Sequence, residues 1–383
     1  MHKQPFSSVL LTDTAGSVDS LFQHIDAAIA AGAKSLLLLA SATNGFTPAQ
    51  LDHKLRSLSV PVFGGIFPQI LAHGTRMERG SIVYGLPQTV MVRHINNISA
   101  EDQDFTNAID AFAADIPPGS TLMTLVDSAG KRIAAVLESL YEIVGDTCRY
   151  LGGGAGCLGL EPVPCLFSNA GLLQDCAQIT AIGLPMEIGV GHGWRKFAGP
   201  FLVTGAYNNV ITTLDYLPAF EVYRKVLEAD GDKRCQESLL FECAGTYPFG
   251  LEKLEGDILV RSPLLRAGNK LVCVGEIPLN HMLYILKGQA NEILNAARQC
   301  VQAATINGAD NTPAFLFECA SRAAFLGEHF SEEMASILAA LPADTPVIGA
   351  ITLGEIANNG KSCLEIHNKA IVLGVTPPQG KRS

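Results

Sequence analysis

The chain has 383 residues, of which 48% are apolar and 17% carry a charged side chain. This length holds two domains or one large domain, and a charged share below the usual level of about 25% excludes a disordered chain and a coiled coil. The formal charge of −10 reflects 27 Lys and Arg against 37 Asp and Glu, with no basic cluster. We therefore expect no nucleic-acid partner.

The segments that could direct the chain to a membrane or out of the cell are short. The first eleven residues contain one Lys and no apolar segment of signal-peptide length, so we expect no secretion signal. Aliphatic runs such as 36–40 fall far below the roughly 20 residues of a membrane helix. The ten Cys residues contain no Cys-x-x-Cys pair, so neither a zinc site nor covalently attached haem is predicted. We expect a soluble, cytoplasmic protein that contacts no membrane, with reduced cysteines.

One pattern occurs three times along the chain: a strand, a polar gap, an amphipathic helix and a short strand ending in small residues. A later strand that ends in glycine follows each copy. Strands alternating with helices of this length predict parallel βαβ units, so the fold class is α/β with mixed β-sheets, and the recurrence indicates an internal duplication. The strand, helix and closing strand of the copies are 35–40, 48–58 and 62–65; 121–126, 131–144 and 150–154; and 314–319, 332–341 and 347–350.

The segment 198–287 departs from this pattern. It contains one predicted helix, at 218–227, and its clearest predicted strands are 271–274 and 282–286. A further amphipathic helix is predicted over 289–304. We place a domain boundary here, giving one domain of residues 1–215 and a second of residues 216–383.

Two short sequences allow more than one interpretation. Cys243 and Cys319 each end a Phe-Glu-Cys tripeptide after an apolar run, and we interpret both as strand ends that pack a buried thiol. The run Gly152–Gly156 follows a predicted strand and could form a dinucleotide loop. It does not match Gly-x-Gly-x-x-Gly and no helical pattern follows at once. Close packing of backbone against a neighbouring strand is the simpler interpretation.

Several motifs, in order along nearly the whole chain, resemble the FIST family, bacterial intracellular sensory domains with an amino-terminal part (FIST N) and a carboxy-terminal part (FIST C). The resemblance implies two related lobes. The motifs are Gly191-His192-Gly193-Trp194, Leu214-Asp215-Tyr216-Leu217-Pro218-Ala219, Tyr247-Pro248-Phe249-Gly250, Val260-Arg261-Ser262-Pro263, Phe317-x-Cys319-x-x-Arg322, Gly349-x-x-x-x-Gly354-Glu355-Ile356 and His367-Asn368.

The resemblance also implies what the protein does. FIST proteins are ligand-sensing modules without catalysis, proposed to bind small molecules such as amino acids. A subfamily with FIST parts only binds non-covalent haem b, senses nitric oxide and regulates a partner histidine kinase or cyclic-di-GMP enzyme. The segment 63–69, Phe-Gly-Gly-Ile-Phe-Pro-Gln, resembles those haem-binding members.

Three functions follow as hypotheses. The first is a haem-binding nitric oxide sensor that acts on such a partner, and the second is a FIST sensor of a small polar metabolite without haem. The third is an α/β enzyme, and we expect the chain not to be one. It contains no Gly-x-Ser-x-Gly elbow, Walker loop or His-Glu-x-x-His, although catalytic triads can assemble in space.

Non-covalent haem needs an axial side chain with a free lone pair, most often a neutral His. We rank His192 first, because it lies between two glycines and beside the only Trp. His281, which opens an apolar strand, is second. His73 is third, because it follows a strand end, where α/β sheets bind ligands. The alternatives are that His192 only braces a turn and that His281 points into water.

The predicted ligand contacts are His192, Trp194, Arg322 and Glu355. Arg322 and Glu355 are charged residues inside otherwise apolar motifs, and a buried charge is costly unless it is paired. They could form a structural ion pair with each other. One of them could instead hold a ligand carboxylate or a haem propionate.

Overall fold

The computed structural model describes residues 8–159, 161–237, 240–253, 256–358 and 363–378. Among these residues, none of the helices combines the length and the apolar character that a membrane span requires. Up to residue 181 the elements are, in order, β1 (Val9–Asp13), α1 (Val18–Ala30), β2 (Ser35–Ser41), α2 (Pro48–Ser57), β3 (Val62–Phe67), β4 (Gln69–Ala72), β5 (Thr75–Met77), β6 (Ser81–Leu86), β7 (Met91–Asn96), α3 (Thr106–Ala113), β8 (Thr121–Asp127), α4 (Ile133–Val144), β9 (Arg149–Ala155), β10 (Leu166–Ser168), β11 (Gly171–Leu173) and β12 (Cys176–Ala181).

The rest of the chain opens with strands and then alternates with helices again. Its elements are β13 (Glu187–Gly191), β14 (Arg195–Tyr207), β15 (Val210–Leu214), β16 (Leu217–Pro218), α5 (Ala219–Ala229), α6 (Leu240–Thr246), β17 (Phe249–Glu252), β18 (Ile258–Arg261), β19 (Pro263–Ala267), β20 (Lys270–Cys273), β21 (Met282–Lys287), α7 (Ala290–Ala304), β22 (Ala314–Cys319), α8 (Ala320–Leu326), α9 (Phe330–Ala340), β23 (Val347–Thr352), β24 (Glu355–Ala357), β25 (Glu365–His367) and β26 (Ile371–Val375).

Three six-stranded sheets share one topology. Their strand orders are β1-β6-β2-β3-β10-β11, β7-β12-β8-β9-β24-β25 and β13-β26-β22-β23-β4-β5. In each of these orders the third and fourth strands are parallel to each other. The second strand of the order, which comes after both of them in the sequence, pairs antiparallel with the third. These central strands are the three copies in the sequence pattern. The predicted α/β class with mixed sheets and repeated βαβ-like units is confirmed.

The outer hairpin of each sheet comes from a different copy. The hairpin β4-β5 of the first copy completes the third sheet, where Ile70 pairs with Ala350. The hairpin β10-β11 of the second copy completes the first sheet, and β24-β25 of the third copy completes the second sheet. The three sheets therefore form a closed ring in which every copy supplies the edge of another. No copy can leave the ring without exposing an unpaired strand edge.

Each sheet buries its own helices. Helices α1 and α2 pack on the first sheet, α3 and α4 on the second, and α7 and α9 on the third. Helix α4 shows why: Val136, Leu137, Leu140 and Val144 recur at helical spacing and are all buried. This is the amphipathic helix that the sequence predicts.

The same glycine position in each copy lets two parallel strands approach. A Cβ atom at this position would lie within 2 Å of a backbone carbonyl oxygen of the neighbouring strand, and no other residue fits. The distances are 1.9 Å from Gly64 to Leu38, 1.9 Å from Gly152 to Thr124 and 1.7 Å from Gly349 to Leu316. The glycine run of β9 therefore serves backbone packing, as the simpler interpretation holds.

A fourth sheet carries the strands of the segment 198–287. Its order is β18-β17-β21-β14-β15-β20-β19, with β16 beside β15, and α5 and α6 cover it. The boundary between residues 215 and 216 falls between β15 and β16, so this sheet contains strands from both sides. The division into 1–215 and 216–383 stays a prediction.

The two Phe-Glu-Cys tripeptides differ in structure. Cys319 ends β22 and is buried, as predicted. The prediction for Cys243 is wrong, because this residue lies in the helix α6. Leu240, Cys243 and Ala244 are buried at spacings of three and four residues, which is the period of a helix face and not of a strand. The thiol is nevertheless buried, as expected.

Candidate functional site

A cleft of about 2220 Å³ lies between the fourth sheet and the ring of three sheets. On the ring side it is lined by residues at the carboxyl ends of the parallel strands β8, β22 and β23, among them Ser128, Cys319 and Thr352. On the opposite side Ser262 and Cys273 line it from the fourth sheet. Ligands of open α/β sheets bind at the carboxyl ends of the strands. The cleft is therefore the candidate site.

Lys369 is the most unusual residue of the cleft wall. It lies in the turn between β25 and β26, has only 1% of its surface exposed and has a left-handed backbone with φ of 56°. Its ammonium lies 5.2 Å from the centre of the Trp194 ring. Its ammonium forms no hydrogen bond and no ion pair with a residue that the structure describes, although the nearby Cys319 and Glu355 oppose the effect of burial on its pKa. Burial lowers the pKa of Lys369 to about 8.

Two neighbours of Lys369 also have unused hydrogen-bonding atoms. Asn368 accepts a hydrogen bond from the backbone N–H of Ser262 through Oδ1, at 3.2 Å. Its Nδ2 and the Oγ of Ser262 have no partner in the described part of the chain. Both residues line the cleft. Two buried polar atoms of one wall thus lack hydrogen-bond partners, beside an ammonium without an ion pair, which is costly unless a ligand or water completes them.

Glu355 lies behind this wall and is fully buried. Its Oε1 accepts a hydrogen bond from Thr352 Oγ1 at 2.8 Å, and its Oε2 accepts one from the backbone N–H of Ala370 at 3.1 Å. Burial raises the pKa of the carboxyl to about 8 and that of the Cys319 thiol to about 11. Burial thus favours the protonated form of Glu355 near neutral pH, while the same carboxyl opposes the effect of burial on the pKa of Lys369.

This protonation predicts a pH dependence that Glu355→Gln removes. The pKa of Glu355 is raised from 4.5 to about 8 on folding, so between these values the native state holds one extra proton and stability falls as pH rises. The slope is about 1.4 kcal/mol per pH unit. Lys369, whose pKa is lowered from 10.5 to about 8, acts above that range and in the opposite sense.

Urea unfolding at about pH 5.5 and pH 7.5 measures this difference. We expect the wild-type protein to lose up to about 2.7 kcal/mol more than Glu355→Gln between the two pH values. Glu318 also has a raised pKa because of burial, but it is present in both proteins and cancels. The exposed Glu332→Gln serves as the control and should keep the wild-type slope. An unchanged slope in Glu355→Gln would show that this carboxyl is ionised at neutral pH.

The structure corrects the predicted pairing of Arg322 with Glu355. Arg322, fully buried on α8, instead forms an ion pair with Glu333 and lies 3.7 Å from Glu318. It also donates to the backbone carbonyls of His192 at 2.5 Å and Ile293 at 2.9 Å. The sequence pattern could not show this, because Glu333 lies on a different helix, α9. Arg322 does not line the cleft.

His192 and Trp194 form the junction between this ion pair and the cleft. The Nδ1 of His192 accepts a hydrogen bond from the backbone N–H of Trp194 at 3.1 Å, so the neutral ring carries its proton on Nε2. Burial and the charge of Arg322 lower the pKa of His192 to about 3. A histidine that ligates iron uses a nitrogen with a free lone pair and donates its other N–H. In this arrangement neither nitrogen fits iron, and the ring braces the turn.

The other two ranked histidines lie elsewhere. His281 is exposed and lines the cleft. His73 is exposed in the β4-β5 turn, with φ of 50°, and does not line it. Among the residues that the structure describes, no three His, Cys, Asp or Glu side chains form a group that could hold a metal. Of the three, only His281 is placed to contact a ligand of the cleft.

Sequence reasoning missed Lys369. Its burial depends on the tertiary packing around the turn between β25 and β26, two strands of the ring, and a single Lys after a His-Asn pair gives no chemical signal by itself. The signal that was available is its position directly after His367-Asn368, one of the motifs identified in the sequence. Predicted contacts that the structure does bring together are His192, Trp194 and Arg322. Trp194 reaches Lys369 with its ring and packs on Phe325 at 5.4 Å.

Comparison with known proteins finds two family models that match consecutive parts of the chain. The family model of the FIST N domain matches residues 35–216, and that of the FIST C domain matches residues 219–358. No curated protein matches the sequence significantly.

Proposed function

Because the chain belongs to the FIST family, whose domains are sensory ligand-binding domains of signalling proteins, we propose that it senses a small polar metabolite bound in the cleft. The observation that carries this proposal is the wall formed by Lys369, Asn368 and Ser262. Asn368 Nδ2 and Ser262 Oγ are buried at the cleft without a hydrogen-bond partner among the described residues, and the Lys369 ammonium beside them forms no ion pair there. A ligand that completes them would bind where α/β sheets commonly bind ligands.

The cleft also suggests how binding is signalled. Ser262 belongs to the fourth sheet, whereas Lys369 and Asn368 belong to the third copy of the ring. A ligand that contacts both sides favours the arrangement in which they are close, and so shifts the population of conformations. A partner protein would read that arrangement. A histidine kinase or a cyclic-di-GMP enzyme is the class of partner that the family resemblance implies.

A haem-based nitric oxide sensor is the second candidate, and His281 is the observation that favours it. His281 lines the cleft, and its imidazole forms no hydrogen bond with a described residue, so a ring nitrogen is free to ligate iron. When bound, haem would supply the metal that binds the gas. The geometry of His192 and His73 gives no such support, and the polar wall around Lys369 fits a polar metabolite better than a porphyrin ring.

The absorption spectrum of the purified protein and its thermal unfolding test both candidates. We expect no Soret band after addition of hemin, and a raised Tm with at least one pool of amino acids or organic acids. A ligand at 100 times its Kd adds about 2.7 kcal/mol to stability. Ala324→Phe, which fills the cleft from α8, should abolish the shift. Ala339→Phe, at an exposed position on α9 outside the cleft, should keep it.

The opposite results are equally clear. A Soret band that shifts with nitric oxide and disappears in His281→Ala would replace the metabolite proposal by the haem sensor. A Tm shift that survives Ala324→Phe would place the ligand outside the cleft. No Soret band and no Tm shift with any pool would contradict both candidates.

A further inference from the structure

We propose that the ligand of the cleft carries a carboxylate on an apolar body, and that this carboxylate pairs with the ammonium of Lys369. The inference deepens the proposed function and rests on it, because it names the chemical class that the cleft would bind. It starts from a buried ammonium that forms no ion pair with a described residue and that the nearby Cys319 and Glu355 compensate only in part. A buried ammonium is costly unless an opposite charge and hydrogen bonds compensate it.

Comparison with the other two copies of the repeat shows that only the third copy has such a buried cation without an ion pair or hydrogen bond among the described residues. The backbone N–H of Ser41 donates to Gly80 O at 3.1 Å, just as that of Cys319 donates to Ala370 O at 3.1 Å. Arg79, which precedes Gly80, therefore corresponds to Lys369. The Arg79 side chain donates to a backbone carbonyl, that of Ala15, at 2.8 Å.

In the second copy, the residue at the corresponding turn also forms hydrogen bonds with other residues of the protein. Asp175, in the turn before β12, has a left-handed backbone like Lys369, with φ of 48°. Its carboxylate accepts a hydrogen bond from Ser99 Oγ at 2.6 Å. Its backbone N–H donates to Asp127 at 2.7 Å. Among the described residues, only the turn of the third copy holds a buried charged side chain that forms no hydrogen bond or ion pair, and only that turn lines the cleft.

The local charges favour a carboxylate over a phosphate. Arg261 also lines the cleft, but its guanidinium donates to the backbone carbonyls of Glu276, Val260 and Ile366. The three N–H donors of the Lys369 ammonium thus remain available to a ligand. Because the ammonium carries one positive charge, a ligand group with one negative charge balances it. Asn368 Nδ2 and Ser262 Oγ are neutral donors that complete a carboxylate. A dianion would bury one more negative charge than the single ammonium of Lys369 balances.

The apolar side chains around Lys369 favour a ligand whose remaining part is apolar. The Trp194 ring lies 5.2 Å from the ammonium, and Phe325 packs against that ring. Phe325, Ile351 and Leu353 are among the apolar residues that line the cleft. A carboxylate with an aliphatic or aromatic body would bury apolar area there while its charge meets Lys369.

Trp194 is the only Trp of the chain, and its fluorescence reports directly on this site. Benzoate, benzamide and phenyl phosphate are titrated into the wild-type protein, because they share one ring and differ in charge. We expect benzoate to change the fluorescence saturably, with Kd of about 1 mM. Benzamide and phenyl phosphate should bind at least about tenfold more weakly, since each fails to match the single positive charge.

Lys369→Met tests the residue itself, because Met has a similar length and no charge. We expect benzoate affinity to fall at least about tenfold in this variant, and Lys225→Met, at an exposed position of α5 outside the cleft, to keep it. Without ligand, Lys369→Met should unfold at a higher urea concentration than the wild type, because an uncompensated buried charge has been removed. Saturating benzoate should reduce that difference. This second readout holds even if the fluorescence change is small.

Three results would overturn the inference. Equal binding of benzamide and benzoate, tighter binding of phenyl phosphate, or unchanged benzoate affinity in Lys369→Met would each exclude a carboxylate paired with Lys369. The proposed function would survive any of them if a metabolite pool still raises Tm in the wild type but not in Ala324→Phe. If no pool does so either, both proposals fail together.

Discussion

Arg322→Met is expected to lower the free energy of unfolding by about 3–5 kcal/mol, because it leaves a buried carboxylate without its cation. Arg322 and Glu333 are both fully buried and form an ion pair. The same guanidinium satisfies the carbonyls of His192 and Ile293. The substitution therefore removes one charge and two further hydrogen bonds from a site that water does not reach. Urea unfolding followed by circular dichroism measures the loss.

An exposed arginine provides the matched control. Arg56→Met removes an ion pair with Asp52 on α2, where the Arg56 side chain is 60% exposed, and such pairs contribute little. The double variant Arg322→Met with Glu333→Gln should recover part of the loss, since it removes the orphaned charge. A loss in Arg322→Met no larger than in Arg56→Met would contradict a structural role for this ion pair.

Gly349→Ala is expected to destabilise the protein by about 4 kcal/mol or more, or to prevent folding. The new Cβ would lie 1.7 Å from the carbonyl oxygen of Leu316 on the parallel neighbour β22. That oxygen belongs to the backbone of a central strand, so the clash can be relieved only by separating β22 from β23. Because β23 also pairs with β4 of the first copy, the separation would disturb the ring.

Gly245→Ala is the control for this substitution. Gly245 lies inside the helix α6, and no atom lies within 4 Å of the position where its Cβ would be. Alanine is preferred to glycine in a helix by about 0.5–1 kcal/mol, so we expect unchanged or slightly higher stability. Soluble yield and the urea midpoint of the two variants, measured side by side, give the comparison. Wild-type stability in Gly349→Ala would mean that β22 and β23 are not in close backbone contact in solution.

The candidate site shows where sequence reasoning reached its limit. The motif of His192 and Trp194 and the position of Arg322 were identified from the sequence, and the structure brings these residues together. Their roles could not be assigned, because Arg322 pairs with Glu333 rather than Glu355, and the protonation of His192 depends on one backbone N–H. Such contacts depend on how helices from separate segments meet. Sequence spacing carries no information about them.

The sequence by itself determined the three copies, with their helices, their strands and the glycines of their closing strands. Alternating burial along an element and the need for a glycine at a close backbone contact both leave a local pattern in the sequence. Only the tertiary structure decided that the copies exchange hairpins and close into a ring, because this strand-edge pairing joins segments between 101 and 282 residues apart. It also decided the state of Lys369. Whether a lysine is solvated or buried without an anion depends on every element that packs around it, and here β25, β26 and Trp194 bury it at the cleft.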